Sequence, residues 1–152
     1  MKFQQSFLKN VKEDLYFCPN NFQEKRFGAG WAWDDFQYYY QPERSPFPIF
    51  GNVVLFERDT LKNGFSVQPQ FFNNYVNFNA ELGGSRPKFT RGEYNNDFEY
   101  NAQAVTGTDY FKEVPFKYSD ELFVELLEDT LKRNVQLLDV NILPDAFQDS
   151  EE

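Results

Sequence analysis

The stretch NVVLFERDTLKNGFSVQP, residues 52–69, carries the clearest fold signal in this chain. Two runs rich in valine, phenylalanine and leucine flank Asn63 and Gly64, the residue pair best able to adopt positive φ in a hairpin turn. The stretch therefore predicts a strand over residues 52–59, a tight turn, and a second strand that begins near Phe65.

Further strands are indicated on both sides of this hairpin by apolar and polar residues that alternate along the chain. Pro115 places the strand that contains it at an end or an edge, because proline cannot donate to a sheet ladder. A helix over residues 3–15 remains an alternative to the first strand. The candidate strands span residues 11–17, 75–82, 88–94, 97–105, 110–116 and 135–143.

One amphipathic helix is predicted over residues 119–133. Ser119 suits the N-cap, two acidic residues follow it in the first turn, and Asn134 is a candidate C-cap. The apolar stripe comprises Leu122, Phe123, Leu126, Leu127 and Leu131. Many strands followed by one helix predict an α+β, mainly β fold with antiparallel strands.

The length of 152 residues suits one domain. We expect a β-rich domain over residues 1–143, either single or divided into two small subdomains near 105–110, and an acidic tail over 144–152. Aromatic residues make up 20% of the chain, so aromatic packing is expected to dominate the core.

Composition excludes several function classes. The net charge of −9 disfavours nucleic acid as a partner, since phosphate binding needs clustered Lys and Arg. One cysteine and no histidine exclude an internal disulfide, the common zinc patterns and a Ser/His/Asp triad. Cys18 is expected to be buried and inert. We expect no cofactor and no membrane span, and the chain carries no signal peptide pattern.

Charged and polar residues outside these classes have ordinary explanations. The basic residues Lys25, Arg26, Arg86, Lys88 and Arg91 are expected to be solvated surface groups. A calcium site of oxygen ligands at Asn95, Asn96, Asp97 and Glu99 is an alternative to an exposed turn.

The segment GAGWAWDDFQYYY, residues 28–40, supports three interpretations. Asp34 and Asp35 would be an acid pair for hydrolysis, but adjacent residues of an extended strand point to opposite faces. Trp31 and Trp33 would be core anchors. Alternatively, the tryptophans and Tyr38 to Tyr40 would stack on a glycan.

The sequence SFLK, Ser6 to Lys9, matches the S-x-x-K pattern of serine acyl-transferases that act on penicillin-like substrates. The S-x-N and K-T-G elements that complete such a site are absent from this chain. We therefore interpret Ser6 and Lys9 as a chance match.

Four motifs occur in an order that resembles one enzyme family. They are DLYFCPNNF, GAGWAWDDFQYYY, FGNVVLF and VPFKYSDELFVELLEDTL. Their sequence and spacing resemble the non-catalytic insert of the serine-type D-alanyl-D-alanine carboxypeptidase/endopeptidase family, the class C low-molecular-mass penicillin-binding proteins. The resemblance extends from about residue 8 to about residue 143.

The resemblance implies that this chain corresponds to the insert alone, which lies between the S-x-x-K and S-x-N motifs of the catalytic domain. No catalytic residue is carried over, and the chain is expected to be inactive by itself. The resemblance implies that six residues form either a structural signature or a ligand contact. In the signature, the aspartates accept from turn amides and the tryptophans fill the core. The six residues are Trp31, Trp33, Asp34, Asp35, Tyr38 and Tyr39. Expected partners are the parent catalytic domain and peptidoglycan, in the periplasm or cell envelope.

Overall fold

The computed structural model of the chain describes residues 14–19, 22, 25–59, 64–84, 86–101 and 110–138. Ser6, Lys9, Asn63 and the predicted tail lie outside these residues, as does most of the predicted subdomain boundary. Within them the elements in chain order are β1 (Leu15–Phe17), β2 (Val53–Asp59), β3 (Gly64–Gln68), β4 (Val76–Phe78), β5 (Phe89–Arg91), β6 (Phe98–Tyr100), β7 (Phe111–Pro115), α1 (Asp120–Leu131) and β8 (Val135–Leu137).

The fold is mainly β with one α-helix near the C-terminal end of the described chain, as predicted. The chain divides into two compact units. The described part of the first unit comprises residues 14–19, 22, 45–47 and 118–138, and that of the second comprises residues 25–44, 48–59, 64–84, 86–101 and 110–117.

In the first unit, helix α1 packs against strand β1 through a contact between two aromatic rings. Strands β1 and β8 pair in parallel, with Leu15 opposite Val135. The rings of Phe17 and Phe123 lie 4.2 Å apart, and both side chains are buried. Phe47 adds an edge contact to Phe17 at 5.9 Å.

Helix α1 begins as the sequence predicts, because Ser119 Oγ accepts a hydrogen bond from the amide of Leu122 at 3.1 Å. The predicted C-cap at Asn134 is wrong. The helix ends at Lys132, which adopts a left-handed conformation at φ 55° and donates its amide to the Glu128 carbonyl. The buried residues of the helix are Phe123, Val124, Leu126 and Leu131, whereas Leu122 and Leu127 of the predicted stripe are half-buried.

The second unit contains two three-stranded sheets. In the first, β2 lies between β3 and β7 and pairs antiparallel with both, which confirms the predicted hairpin strands and the edge position of Pro115. In the second, β6 lies between β4 and β5, pairing in parallel with β4 and antiparallel with β5. The predicted strand over 75–82 is shorter than expected, because residues 80–82 form a 3₁₀ turn.

Aromatic rings fill the core of the second unit, which confirms the expectation from composition. Phe72 packs against Phe98 at 5.6 Å and against Phe116 at 5.4 Å, and all three are fully buried. Phe56 on β2 contacts Phe98 at 5.8 Å.

Candidate functional site

Each of the two glycines in the tryptophan motif is required for a different structural reason. A Cβ added to Gly28 would lie 3.1 Å from Cε2 of Trp31, so the indole rests directly on the Gly28 backbone. Gly30 has φ +81°, a conformation that favours glycine. The Trp31 amide closes the turn by donating to the Gly28 carbonyl at 3.3 Å. The G-x-G-W motif therefore encodes a tight turn that receives an indole.

Trp31 does not fill the core. Its ring lies 6.3 Å from that of Phe27, and 38% of the residue remains exposed. The expectation that this tryptophan is a core anchor is therefore wrong. The side chain of Trp33 lies outside the part of the chain that the structure describes.

Asp34 and Asp35 lie in a 3₁₀ turn over Trp33–Asp35, so the extended strand considered for them is not formed. Asp34 is exposed and Asp35 is half-buried. The amides of Asp35 and Tyr38 donate to the backbone carbonyls of Ala32 and Asp35, where aspartate side chains were expected to be the acceptors. Desolvation, followed by a hydrogen bond to Asp35 and the charge of that carboxylate, raises the pKa of the Tyr40 hydroxyl above its ordinary value.

Tyr38, Tyr39 and Tyr40 form an exposed aromatic cluster. Their exposed fractions are 48%, 61% and 54%. Tyr38 and Tyr40 are stacked with their centroids 5.5 Å apart and an interplanar angle of 5°, and Tyr39 meets Tyr40 edge-on at 5.5 Å. The ammonium group of Lys112 lies 6.0 Å from the centroid of Tyr38.

Gln41 anchors the segment directly after the tyrosines. The residue is buried, and its Nε2 donates to the Ala32 carbonyl at 2.5 Å. Its own amide donates to the Tyr38 carbonyl at 2.9 Å. The loop from Ala32 to Gln41 is thereby closed by side-chain and backbone hydrogen bonds.

A buried charge cluster holds the next part of the segment. Glu43 is buried, and its Oε1 accepts from Arg26 Nη2 at 2.5 Å. The same oxygen lies 3.8 Å from Nη2 of Arg91, whose side chain is fully buried. The carbonyl of Glu43 accepts from Asn52 Nδ2 at 2.8 Å. These contacts fix the chain on both sides of the tryptophan motif.

The expectation that Arg91 is a solvated surface group is wrong. Only 3% of the residue is exposed, and its guanidinium lies 4.8 Å from the ring centroid of Phe36. It donates to three carbonyls, at Pro115 (2.8 Å), Gly92 (2.7 Å) and Asn95 (2.9 Å). Desolvation lowers the pKa of Arg91 to about 10, against the opposing effect of Glu43.

Arg26 is half-buried by its pairing with Glu43, so it too differs from the expected surface group, whereas Lys25, Arg86 and Lys88 are exposed as expected.

The sequence contained a signal that Arg91 is buried. Alternation along β5 puts Arg91 on the same face as buried Phe89. Glu43, by contrast, lies in irregular chain, and nothing in its neighbourhood marks it as buried.

Of the proposed oxygen ligands for calcium, Asn95, Asn96 and Asp97 lie between β5 and β6, whereas Glu99 lies on β6. Asn95 Nδ2 donates to Asp97 Oδ2 at 2.6 Å, and Asn95 Oδ1 accepts the Asp97 amide at 3.2 Å. Asn96 exchanges hydrogen bonds with the backbone of Lys117, and Glu99 accepts from the side chain of Asn79. These contacts favour the exposed-turn interpretation. Among the described residues, no group of three or more Cys, Asp and Glu side chains is arranged to hold a metal ion.

Two further findings concern the predicted exclusions. Cys18 is exposed, so the expectation of a buried thiol is wrong. Within the described ranges, no helix has the length and apolar character that crossing a membrane requires.

Comparison with known proteins does not assign the chain to a family. Neither the protein-family models nor the curated proteins that were searched contain a match to it.

Proposed function

We propose that this chain is a non-catalytic insert domain of a serine-type D-alanyl-D-alanine carboxypeptidase/endopeptidase of the cell envelope. Its role is to provide a rigid scaffold that contacts the parent catalytic domain or the cell wall. The order of the four motifs over residues 8–143 supports this assignment.

The observation that carries the proposal is how the tryptophan motif is used. Gly28 supports the indole of Trp31, and Gln41 closes the loop onto Ala32. Because these groups are engaged with one another, the motif has the contacts of a structural element. A general acid or base would need a reacting group within hydrogen-bonding reach.

The two aspartates also fit a scaffold better than a hydrolytic pair. A glycosidase places one carboxyl on each side of the bond that it cleaves. Asp34 and Asp35 instead follow one another in a single 3₁₀ turn, and the second is hydrogen-bonded to a neighbouring tyrosine. The acid-pair hydrolase is therefore not proposed.

The coding DNA on both sides of this sequence tests the proposal directly. An insert of this family is expected between an encoded S-x-x-K motif upstream and S-x-N and K-T-G motifs downstream. Finding all three, in the same reading frame or in adjoining frames, would support the assignment. Flanking sequence that encodes none of them would contradict it.

A second test asks whether the chain contacts a catalytic domain. The purified chain is mixed with the separately purified catalytic domain encoded by the flanking DNA, and association is measured by analytical ultracentrifugation. Association that is lost at high salt or in a surface variant supports the scaffold role. Two species that sediment independently at all concentrations contradict a contact with the catalytic domain and leave the cell wall as the contacted surface.

A further inference from the structure

Tyr38, Tyr39 and Tyr40 form what we name the tyrosine ledge. Each ring is about half or more exposed, and Tyr39 is the most open of the three at 61%. Removing large aromatic groups from water lowers the free energy. Exposed aromatic side chains at consecutive positions therefore mark an interaction surface. The scaffold described above uses only the hydroxyl of Tyr40, which leaves the rings themselves without an assigned role.

The ledge is held in one conformation before any ligand arrives. The Tyr38 amide donates to the Asp35 carbonyl, and the Tyr38 carbonyl accepts from the Gln41 amide, both at 2.9 Å. Tyr38 and Tyr40 are stacked almost in parallel, with their ring centroids 5.5 Å apart. Because the rings are already ordered, little conformational entropy is lost when a ligand binds.

The chemistry of the ledge favours a ligand that is apolar on one face and polar at its edges. A purely apolar partner would bury the phenol hydroxyls and the Asp35 carboxylate without new hydrogen bonds, which is unfavourable. A pyranose ring offers C–H groups to an aromatic face and hydroxyls to the surrounding polar atoms. An oligosaccharide therefore satisfies both parts of this surface.

Charge narrows the class of oligosaccharide. The charge of the Asp35 carboxylate acts on Tyr40, and the whole chain has a net charge of −9. A polyanionic glycan would be repelled by this net charge. The ammonium group of Lys112, 6.0 Å from the Tyr38 centroid, supplies one positive charge, which does not reverse the negative net charge of the chain.

We propose that the tyrosine ledge binds a neutral oligosaccharide by stacking sugar rings on Tyr38, Tyr39 and Tyr40. The inference goes beyond the proposed function and does not depend on it, since a free-standing glycan-binding domain would carry the same surface. The proposed aromatic contact lies on the three tyrosines, whereas the alternative considered from the sequence was a larger cluster that includes both tryptophans.

The test is a titration of the isotopically labelled full chain, followed by two-dimensional amide NMR. The probes are chitohexaose and cellohexaose as neutral chains and oligogalacturonate as an anionic chain. We expect saturable shifts at residues 38–40 with at least one neutral chain and weaker or no shifts with oligogalacturonate.

Two variants distinguish specific binding of the glycan by the tyrosine ledge from nonspecific binding to exposed tyrosines. Tyr39→Ala removes the most exposed ring of the ledge, and we expect about tenfold weaker binding. Tyr94→Ala removes a tyrosine of the same unit that is 78% exposed and lies outside the ledge, and we expect a change of less than about twofold. Thermal unfolding of both variants verifies that each is folded.

Several outcomes would overturn the inference. They are the absence of saturable shifts with every neutral chain, equal effects of Tyr39→Ala and Tyr94→Ala, and tighter binding of the anionic chain than of any neutral one. Shifts at residues 38–40 that depend on protein concentration without glycan would show that a second copy covers the ledge. These outcomes are independent of the coding DNA that tests the proposed function.

Discussion

The carboxylate of Glu43 lies 3.8 Å from the guanidinium of Arg91, and both side chains are excluded from water. Glu43 belongs to irregular chain that follows the tyrosines, whereas Arg91 ends strand β5. Their contact therefore ties the segment that carries the tryptophan motif to the sheet. Burying an arginine in this way is costly, as the lowered pKa of Arg91 indicates, and its three carbonyl acceptors offset part of that cost.

Replacing Arg91 by methionine tests this connection. The change leaves Glu43 with less compensating charge and leaves the carbonyls of Pro115, Gly92 and Asn95 without their donor. We expect the free energy of unfolding in urea to fall by about 3–5 kcal/mol. Arg86→Met at an exposed position is the matched control, with an expected change within about 0.5 kcal/mol. Equal stability of the two variants would show that the buried charge cluster is not needed.

The contact between Gly28 and Trp31 can be tested with a pair of glycine variants. Gly28→Ala places a methyl group 3.1 Å from Cε2 and 3.2 Å from Nε1 of the indole, so the ring must shift. Gly30→Ala adds a methyl group with nothing within 4 Å, but at a φ of +81°. We expect both to destabilise the chain by about 1–2 kcal/mol.

The indole N–H resonance of Trp31 separates the two effects. It should move in Gly28→Ala, where the new methyl group contacts the ring, and stay near its original position in Gly30→Ala. An unchanged resonance in Gly28→Ala would mean that the indole does not rest on the Gly28 backbone.

The hydrogen bond between Asp35 and Tyr40 has a consequence for titration. Asp35→Asn removes a negative charge and a carboxylate acceptor, so the pKa of Tyr40 should fall part of the way towards its ordinary value of 10.0. The part of the shift caused by desolvation should remain. The measurement is a pH titration of the Tyr40 ring resonances, with Asp34→Asn as the neighbouring control. A Tyr40 pKa that responds equally to both substitutions would place the relevant charge elsewhere.

Tyr118 makes the first unit sensitive to alkaline pH. Desolvation, followed by the charge of Asp120 and a hydrogen bond to it at 3.1 Å, raises the pKa of Tyr118 above the ordinary 10.0. Because the unfolded chain loses this proton more readily, the stabilisation is complete below pH 10 and is lost as the pH rises further. We therefore expect the melting temperature of Tyr118→Phe to fall less steeply above pH 10 than that of the parent chain. Parallel curves would indicate that Tyr118 does not contribute to the pH dependence.

Local sequence signals were sufficient to predict elements whose contacts lie between residues close together in the sequence. The hairpin strands β2 and β3 follow from β-forming runs on either side of a turn, and α1 follows from Ser119 and an apolar stripe. The parallel pairing of β1 with β8 was not predicted, since it joins residues about 120 positions apart along the chain. Such pairings depend on tertiary packing, which alternation within one strand does not encode.

The candidate site shows the same limit. The sequence identified the unusual residues of 28–40, but Trp31 was expected in the core because large indoles usually bury well. This indole instead lies against the Gly28 backbone and stays 38% exposed. Glu43 and Arg91 were missed because a charged residue is ordinarily solvated, and only a partner distant in sequence makes its burial favourable.

We propose that this chain supplies a scaffold and a recognition surface and takes no part itself in acyl transfer. Intact-protein mass spectrometry after incubation with benzylpenicillin tests it most directly, since a serine acyl-transferase retains a covalent penicilloyl group. We expect the mass of the chain to stay unchanged at every penicillin concentration. A stoichiometric penicilloyl adduct that disappears in Ser6→Ala would contradict the account.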